Sequence, residues 1–224
     1  MPGRDIQLVN EGIYHVFNRG INSQKIFNCD RDYYQFLDRI QYYQNDNLSM
    51  RYSHFNDLPL VIKDDLLNKL SSKKEFLVDI IAYCLMPNHF HFILKQKVDN
   101  GISKYISNLT NSYTRYYNIK HKRTGPILQG KFKAIGIESN EQICHLSRYI
   151  HLNPYSMGII DNFRELLKYP YSSLPEYVNH QKRICDSGII LGQFQDIASY
   201  KKFVFDHADF QKNLQVIKQC LLES

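Results

Sequence analysis

The chain has 224 residues and a formal charge of +6, long enough for one well-cored domain with an appendage. Its five cysteines, Cys29, Cys84, Cys144, Cys185 and Cys220, are scattered with no Cys-x-x-Cys pair, which excludes a closed disulfide set and the common zinc knuckles. Met1 to Glu11 has no apolar signal core, and nowhere is there an uncharged apolar stretch of ~18 residues, so a soluble cytoplasmic protein with no membrane partner is expected. The charge is localised. From Asn100 to Ile137 there is no Asp or Glu, while Lys104, Arg115, Lys120, Lys122, Arg123, Lys131 and Lys133 carry the whole basic surplus. A basic face of this kind suits a polyanion, although a solvated basic helix and loop would read the same way. Seventeen tyrosines and no tryptophan complete an unusual composition.

In chain order, Gly12 to Asn18 reads as a strand rich in aromatic and β-branched residues. Asp30 is positioned to cap a helix whose Tyr33, Phe36, Leu37, Ile40 and Tyr43 recur at helical spacing. Asn45 to Glu75 is polar and irregular, a surface insertion with one short helix near Val61 to Leu70. Leu77 to Leu85 is an apolar strand, and Met86-Pro87-Asn88 turns it into a second strand beginning His89-Phe90-His91-Phe92. Ile102 to Tyr117 forms a long amphipathic helix whose tyrosines belong to its buried stripe. Ile127 to Ile137 reads as a strand with Gln129, Lys131 and Lys133 on one face. Ser139 caps a last core helix that Asn153-Pro154 ends. The order of the first six elements matches a ferredoxin-like split βαβ core of α+β class: an antiparallel sheet with helices on one side and the other face free. Residues 1–165 form this domain and its final helix. Residues 166–224, with helices around Tyr200 to Val204 and Phe210 to Leu221, form a helical C-terminal extension.

Two features carry chemistry. Side chains alternate along a strand, so His89 and His91 share one face while Phe90, Phe92 and Leu94 take the other. Two imidazoles converging from one strand can ligate a divalent metal, and by spacing alone they are equally compatible with two half-buried histidines. On the last core helix, Ile143, Leu146 and Ile150 define the buried stripe. Tyr149 falls at its border, and Asn153, one turn later, lies on the same side. One helix can therefore supply a hydroxyl and a metal ligand. His145 shares the face of Tyr149; His151 points elsewhere and reads as structural.

Together these residues resemble the single-tyrosine HUH transposases, the IS200-like group, and within them the REP-associated tyrosine transposases. The resemblance rests on Arg19-Gly20 with Ile26-Phe27, on Tyr83 and Met86-Pro87-Asn88-His89-Phe90-His91, on Gln129-Gly130-Lys131-Phe132-Lys133, and on Tyr149-Ile150-His151-Leu152-Asn153-Pro154. It implies an enzyme in which Tyr149 is the nucleophile, His89, His91 and Asn153 hold Mg²⁺ or Mn²⁺, and single-stranded or hairpin DNA is nicked and rejoined through a 5′-phosphotyrosine intermediate. Arg19, Lys120, Lys122, Arg123, Lys131 and Lys133 are the expected DNA-binding residues, and a homodimer is left open. Two readings compete: a relaxase- or replication-initiator-like nickase, and a domesticated DNA-binding protein that keeps the fold without turnover. The chain departs from the family in the length of Asn45 to Glu75 and in Tyr155, where a small aliphatic is common.

Overall fold

The computed structural model describes residues 7–46, 48–73, 75–179 and 184–213. Strand β1 (Ile13–Arg19) leads to helix α1 (Asp30–Tyr43), then α2 (Tyr52–Asn56) and α3 (Leu60–Lys73), the hairpin β2 (Val78–Met86) and β3 (His89–Gln96), helix α4 (Gly101–Lys120), strand β4 (Lys133–Ile137) and helix α5 (Asn140–Ser156). The short helices α6 (Leu174–Val178), α7 (Gly188–Leu191) and α8 (Ile197–Phe205) lie beyond it. The four strands make one antiparallel sheet in the order β2-β3-β1-β4. This is the α+β, ferredoxin-like order expected from the sequence.

Alternation along the central strands divides the sheet into two chemically different faces. Tyr14 and Val16 on β1, and Phe90, Phe92 and Leu94 on β3, are buried against α1 and α4. Phe36 meets Phe90 at 5.5 Å between ring centres, and Tyr105 meets Phe92 at 6.3 Å. Each of these rings buries enough apolar surface that truncation to alanine would cost about 3–5 kcal/mol. The other face presents His15 and Phe17 from β1 and His89 and His91 from β3, and α5 lies over its β2–β3 half. The outer edge of β2 is covered by the C-terminal segment: Tyr83 and Leu85 exchange backbone hydrogen bonds with Tyr171 and Ser173, and Asp186 donates to Ile80. A long apolar edge left bare would invite intermolecular pairing.

Four expectations need correction. Asp30 is the first helical residue of α1, not its cap; Asp32 instead accepts a hydrogen bond from the Asn28 backbone at 2.9 Å. The insertion is more ordered than its polarity suggests, forming both α2 and α3, because Tyr52 and Phe55 anchor the first of these against Tyr42. Regular pairing of β4 starts at Lys133 rather than Ile127: Leu128 forms an isolated bridge with Gly20, and Gly130 then turns into the left-handed region (φ 48°), where a ladder cannot continue. Finally, α5 runs through Pro154 to Ser156, since a proline this near a helix end forfeits a single ladder bond. The expected helix at Phe210 to Leu221 is seen over residues 208–213, its remainder lying outside the described residues.

Asp32 ties the two helices of the core layer together. Its side chain is fully buried and accepts from Tyr116 Oη at 2.9 Å and Lys120 Nζ at 2.6 Å. Burial favours the neutral acid, but the bonds from Lys120, Asn28 and Tyr116 outweigh it and hold the carboxyl below its ordinary pKa. Removing one partner from a buried charged pair strands the other. Asp32→Ala is therefore expected to lower stability by about 3 kcal/mol in urea unfolding, whereas a loss under about 1 kcal/mol, the range of an exposed pair, would show that this link is dispensable.

Candidate active site

The register of β3 against its neighbours assembles the site. His91 stands opposite Phe17 on β1 and Cys84 on β2, His89 opposite Arg19 and Met86, and Phe17 in turn opposite Lys133 on β4. A row of aromatic and basic side chains therefore crosses the sheet. At its β3 end, the Tyr149 ring of α5 stands edge-on to His91 at 5.8 Å. Ser139 starts α5, accepting from the Gln142 backbone N–H at 3.1 Å, which sets the phase that brings Tyr149 and Asn153 to the sheet.

These residues line one cavity of about 400 Å³: Phe17, Asn18, Arg19, His89, His91, Gln129, Lys131, Lys133, Tyr149, Asn153 and Met157. It gathers the expected nucleophile, all three expected ligands, and three of the six expected DNA contacts. The other three lie outside it. Lys120 is engaged by Asp32, Arg123 bonds the Pro126 carbonyl beside the Tyr117 ring, and Lys122 is exposed at the end of α4 in the left-handed conformation. His145 is also absent from the cavity: it is exposed, with Nδ1 bonded to Arg148 at 2.7 Å. His151 is wholly buried between Tyr200 Oη and Ser173 Oγ, both at 2.8 Å. Tyr155 gives its hydroxyl to Asp209 at 2.7 Å.

Hydrogen bonding sets the state of the histidine pair. Asn88 Oδ1 can only accept, so its 2.6 Å contact with His89 Nδ1 places the proton there and leaves Nε2 as a bare lone pair. His91 Nδ1 is occupied by His15 Nε2 at 2.9 Å. Second partners of this kind orient and tune ligating imidazoles. Burial holds His89 down to about 4 and His91 well below its ordinary range, with Arg19 adding to both shifts. Both rings are thus neutral at pH 7, the form that donates to a metal. The donor set fits a hard divalent ion: two imidazole nitrogens and, from Asn153, an amide oxygen left over when its nitrogen donates to the Tyr149 carbonyl at 3.1 Å. Among the described residues no group of three or more His, Cys, Asp or Glu side chains could hold a metal.

Burial raises the pKa of the Tyr149 phenol, while the Asn153 side chain and the charge of Arg19 pull it back. His15, Phe17 and Asn18 escape a motif reading, and Asn88 lies in a motif without a role assigned to it. Each acts through register or a turn contact, and the alternation of His15 and Phe17 with Tyr14 and Val16 is the single sequence signal for any of them.

The His-x-His strand thus lies at the centre of the ferredoxin-like sheet, with the Tyr149 helix laid against it. Residues 51–153 match the family model described as transposase IS200 like. Among solved structures, the chain is similar to one described as the REP associates tyrosine transposase bound to a REP hairpin, with a TM-score of 0.56 and 16% identity over 85% of this chain and 93% of that one. The resemblance read from the sequence stands on both, and the second shows a common fold. No curated protein matches the chain. Among the described residues no helix is long and apolar enough to cross a membrane.

Three histidines desolvated by the fold make stability depend on pH. Burial lowers His15 and His89 to about 4 and His151 to about 3. The unfolded chain binds these protons from about pH 6.5 downward while the folded chain refuses them, so stability is full above that value and is lost as pH falls toward the folded pKa values. Urea midpoints are expected to decline between about pH 6.5 and 4. His151→Gln should flatten the decline, and an unaltered slope in that variant would remove His151 from the account.

Proposed function

We propose that the protein is a metal-dependent DNA strand transferase that nicks and rejoins single-stranded or hairpin DNA through Tyr149. The observation that carries this reading is the convergence of Tyr149, His89, His91 and Asn153 in one cavity rimmed by Arg19, Lys131 and Lys133. The family match and the shared fold support it.

A phenol of ordinary pKa near 10 is only about one part in a thousand ionised at pH 7, and burial reduces that further here. Nucleophilic attack therefore needs positive charge near Tyr149 Oη. Arg19 supplies part of it, and a hydrogen bond from the neutral Asn153 side chain also favours the phenolate. Mg²⁺ or Mn²⁺ held by His89, His91 and Asn153 would polarise the scissile phosphate and stabilise the charge on its oxygens. Because these three ligands are neutral, none of the ion's charge is spent on the protein. Lys131 and Lys133 hold neighbouring phosphates from the rim. Tyr149 Oη, its proton lost to solvent, bonds to phosphorus; the P–O3′ bond breaks, and the departing 3′ oxygen takes a proton. The product is a 5′-phosphotyrosine and a free 3′-hydroxyl. Reversal with another 3′-hydroxyl rejoins DNA without an external energy source, since the phosphotyrosine bond conserves the phosphodiester.

Incubating the protein with labelled hairpin DNA and Mn²⁺ should give a covalent adduct on denaturing gels. Tyr149→Phe should abolish the adduct, and EDTA should block it until Mn²⁺ is restored. Binding without an adduct from the wild-type chain would support the turnover-free alternative, and an adduct that survives Tyr149→Phe would refute the nucleophile. Calorimetric titration with Mn²⁺ is expected to show a loss of affinity of about 10–100-fold in Asn88→Ala, which frees the His89 tautomer, and a larger loss in His91→Ala. Equal binding by all three proteins would place the ion elsewhere.

A further inference from the structure

On the side of the sheet away from the histidines, α1, α4 and the segment leading into α2 enclose a groove of about 930 Å³, more than twice the volume of the candidate active site. Its lining is strongly basic. Arg31, Arg51, Lys104, Arg115 and Lys120 face one acid, Asp46, which is paired with Lys104. Among the described residues Arg31, Arg51 and Arg115 have no ion pair. All three are exposed.

A second observation concerns the wall itself. Arg39 is only 5% exposed, and no carboxylate among the described residues stands within ion-pair distance of it. Its guanidinium bonds Gln35 and, at 3.1 Å, Ser112 Oγ, and lies over the Tyr52 ring at 4.1 Å. Ser112 and Tyr52 both line the groove. Asp38 stabilises this buried cation through space without a direct ion pair, and an anion in the groove would offset more of its burial cost.

We propose that this groove is a second nucleic-acid site, holding backbone phosphates of the folded part of a DNA substrate. The length of the basic track favours a polymer over a single phosphate. Lys104 and Arg115 are eleven residues apart on one helix, about 16 Å at 1.5 Å per residue, which is the axial rise of roughly five nucleotides of one strand. The groove is also connected to the active site. Asn111 lines both it and a cleft along α4, and Asn18 and Lys131 line both that cleft and the histidine cavity. The wall residues Asp46, Leu48, Met50, Arg51, Tyr52 and Ser53 belong to the long insertion, which gives that segment a purpose. The inference rests on the reading of DNA as substrate and is independent of the Tyr149 chemistry.

The test is fluorescence anisotropy with a labelled DNA hairpin carrying a single-stranded arm, comparing the wild-type chain with Arg51→Glu/Arg115→Glu. Both residues are exposed, so the double variant is expected to fold. Hairpin affinity should fall at least about 10-fold and the slope of log K against log salt should shrink by about 2, as two phosphate contacts are lost. Adduct formation on a short unstructured oligonucleotide should be unchanged. Unaltered hairpin affinity would overturn the groove while leaving the nicking reaction intact; a groove-dependent affinity in a protein that forms no adduct would sink the nicking reaction and leave the groove. Loss of self-association or of acidic-peptide binding, with DNA affinity unchanged, would assign the groove to another partner and refute the proposal.

Discussion

Everything at the candidate active site depends on the register of β3. Phe90, Phe92 and Leu94 are buried against α1 and α4, and this apolar anchoring forces His89 and His91 to the opposite face. A slip of one residue would exchange the two sets, sending imidazoles into the aromatic core and phenyl rings to the cavity. That exchange would cost several kilocalories per buried ring, so the core pins the site. The same register brings Phe17 and Lys133 into line with His91. A basic rim and a neutral histidine pair thus follow from one hydrophobic decision.

The helix carrying Tyr149 is held from behind by polar contacts. His151, Ser147 and Ser173 form a buried network with Tyr200 of α8, and Tyr83 of β2 donates to Glu176, whose other oxygen accepts from the backbone of Ile184 and Cys185. Every member is hydrogen-bonded, the condition under which a buried network stiffens a core instead of weakening it. Gln211 reaches the Tyr149 carbonyl at 3.1 Å. The residues after Leu166 thus brace the Tyr149 helix and cover the β2 edge.

Local signals were readable from sequence, and relational ones were not. The alternation around Phe90, the Ser139 cap and the apolar stripes of α1 and α4 each lie within a few residues, and the structure contains all of them. Tyr149 and Asn153 share one side of a helix by simple periodicity. The role of His15 could not be read, because its bond to His91 spans 76 positions and exists only through strand pairing. The late start of β4 depends on one left-handed glycine inside an apparently regular strand pattern. The basic charge between Asn100 and Ile137 was visible as one block, yet the fold divides it between Lys131 and Lys133 at the histidine cavity and Lys104, Arg115 and Lys120 in the groove beyond α4. Sequence proximity carried no information about that division, because Lys104, Arg115 and Lys120 belong to α4 while Lys131 and Lys133 belong to β4 and the turn before it.

The central claim is that β3 and α5 together deliver Tyr149 to a phosphate held beside His89 and His91. Mass spectrometry of the proteolysed covalent complex, after nuclease digestion of the DNA, tests it most directly. The account predicts a nucleotide mass on the peptide containing Tyr149, with Tyr155 unmodified on the same helix. Modification of Tyr155, or of a residue outside the cavity, would contradict it.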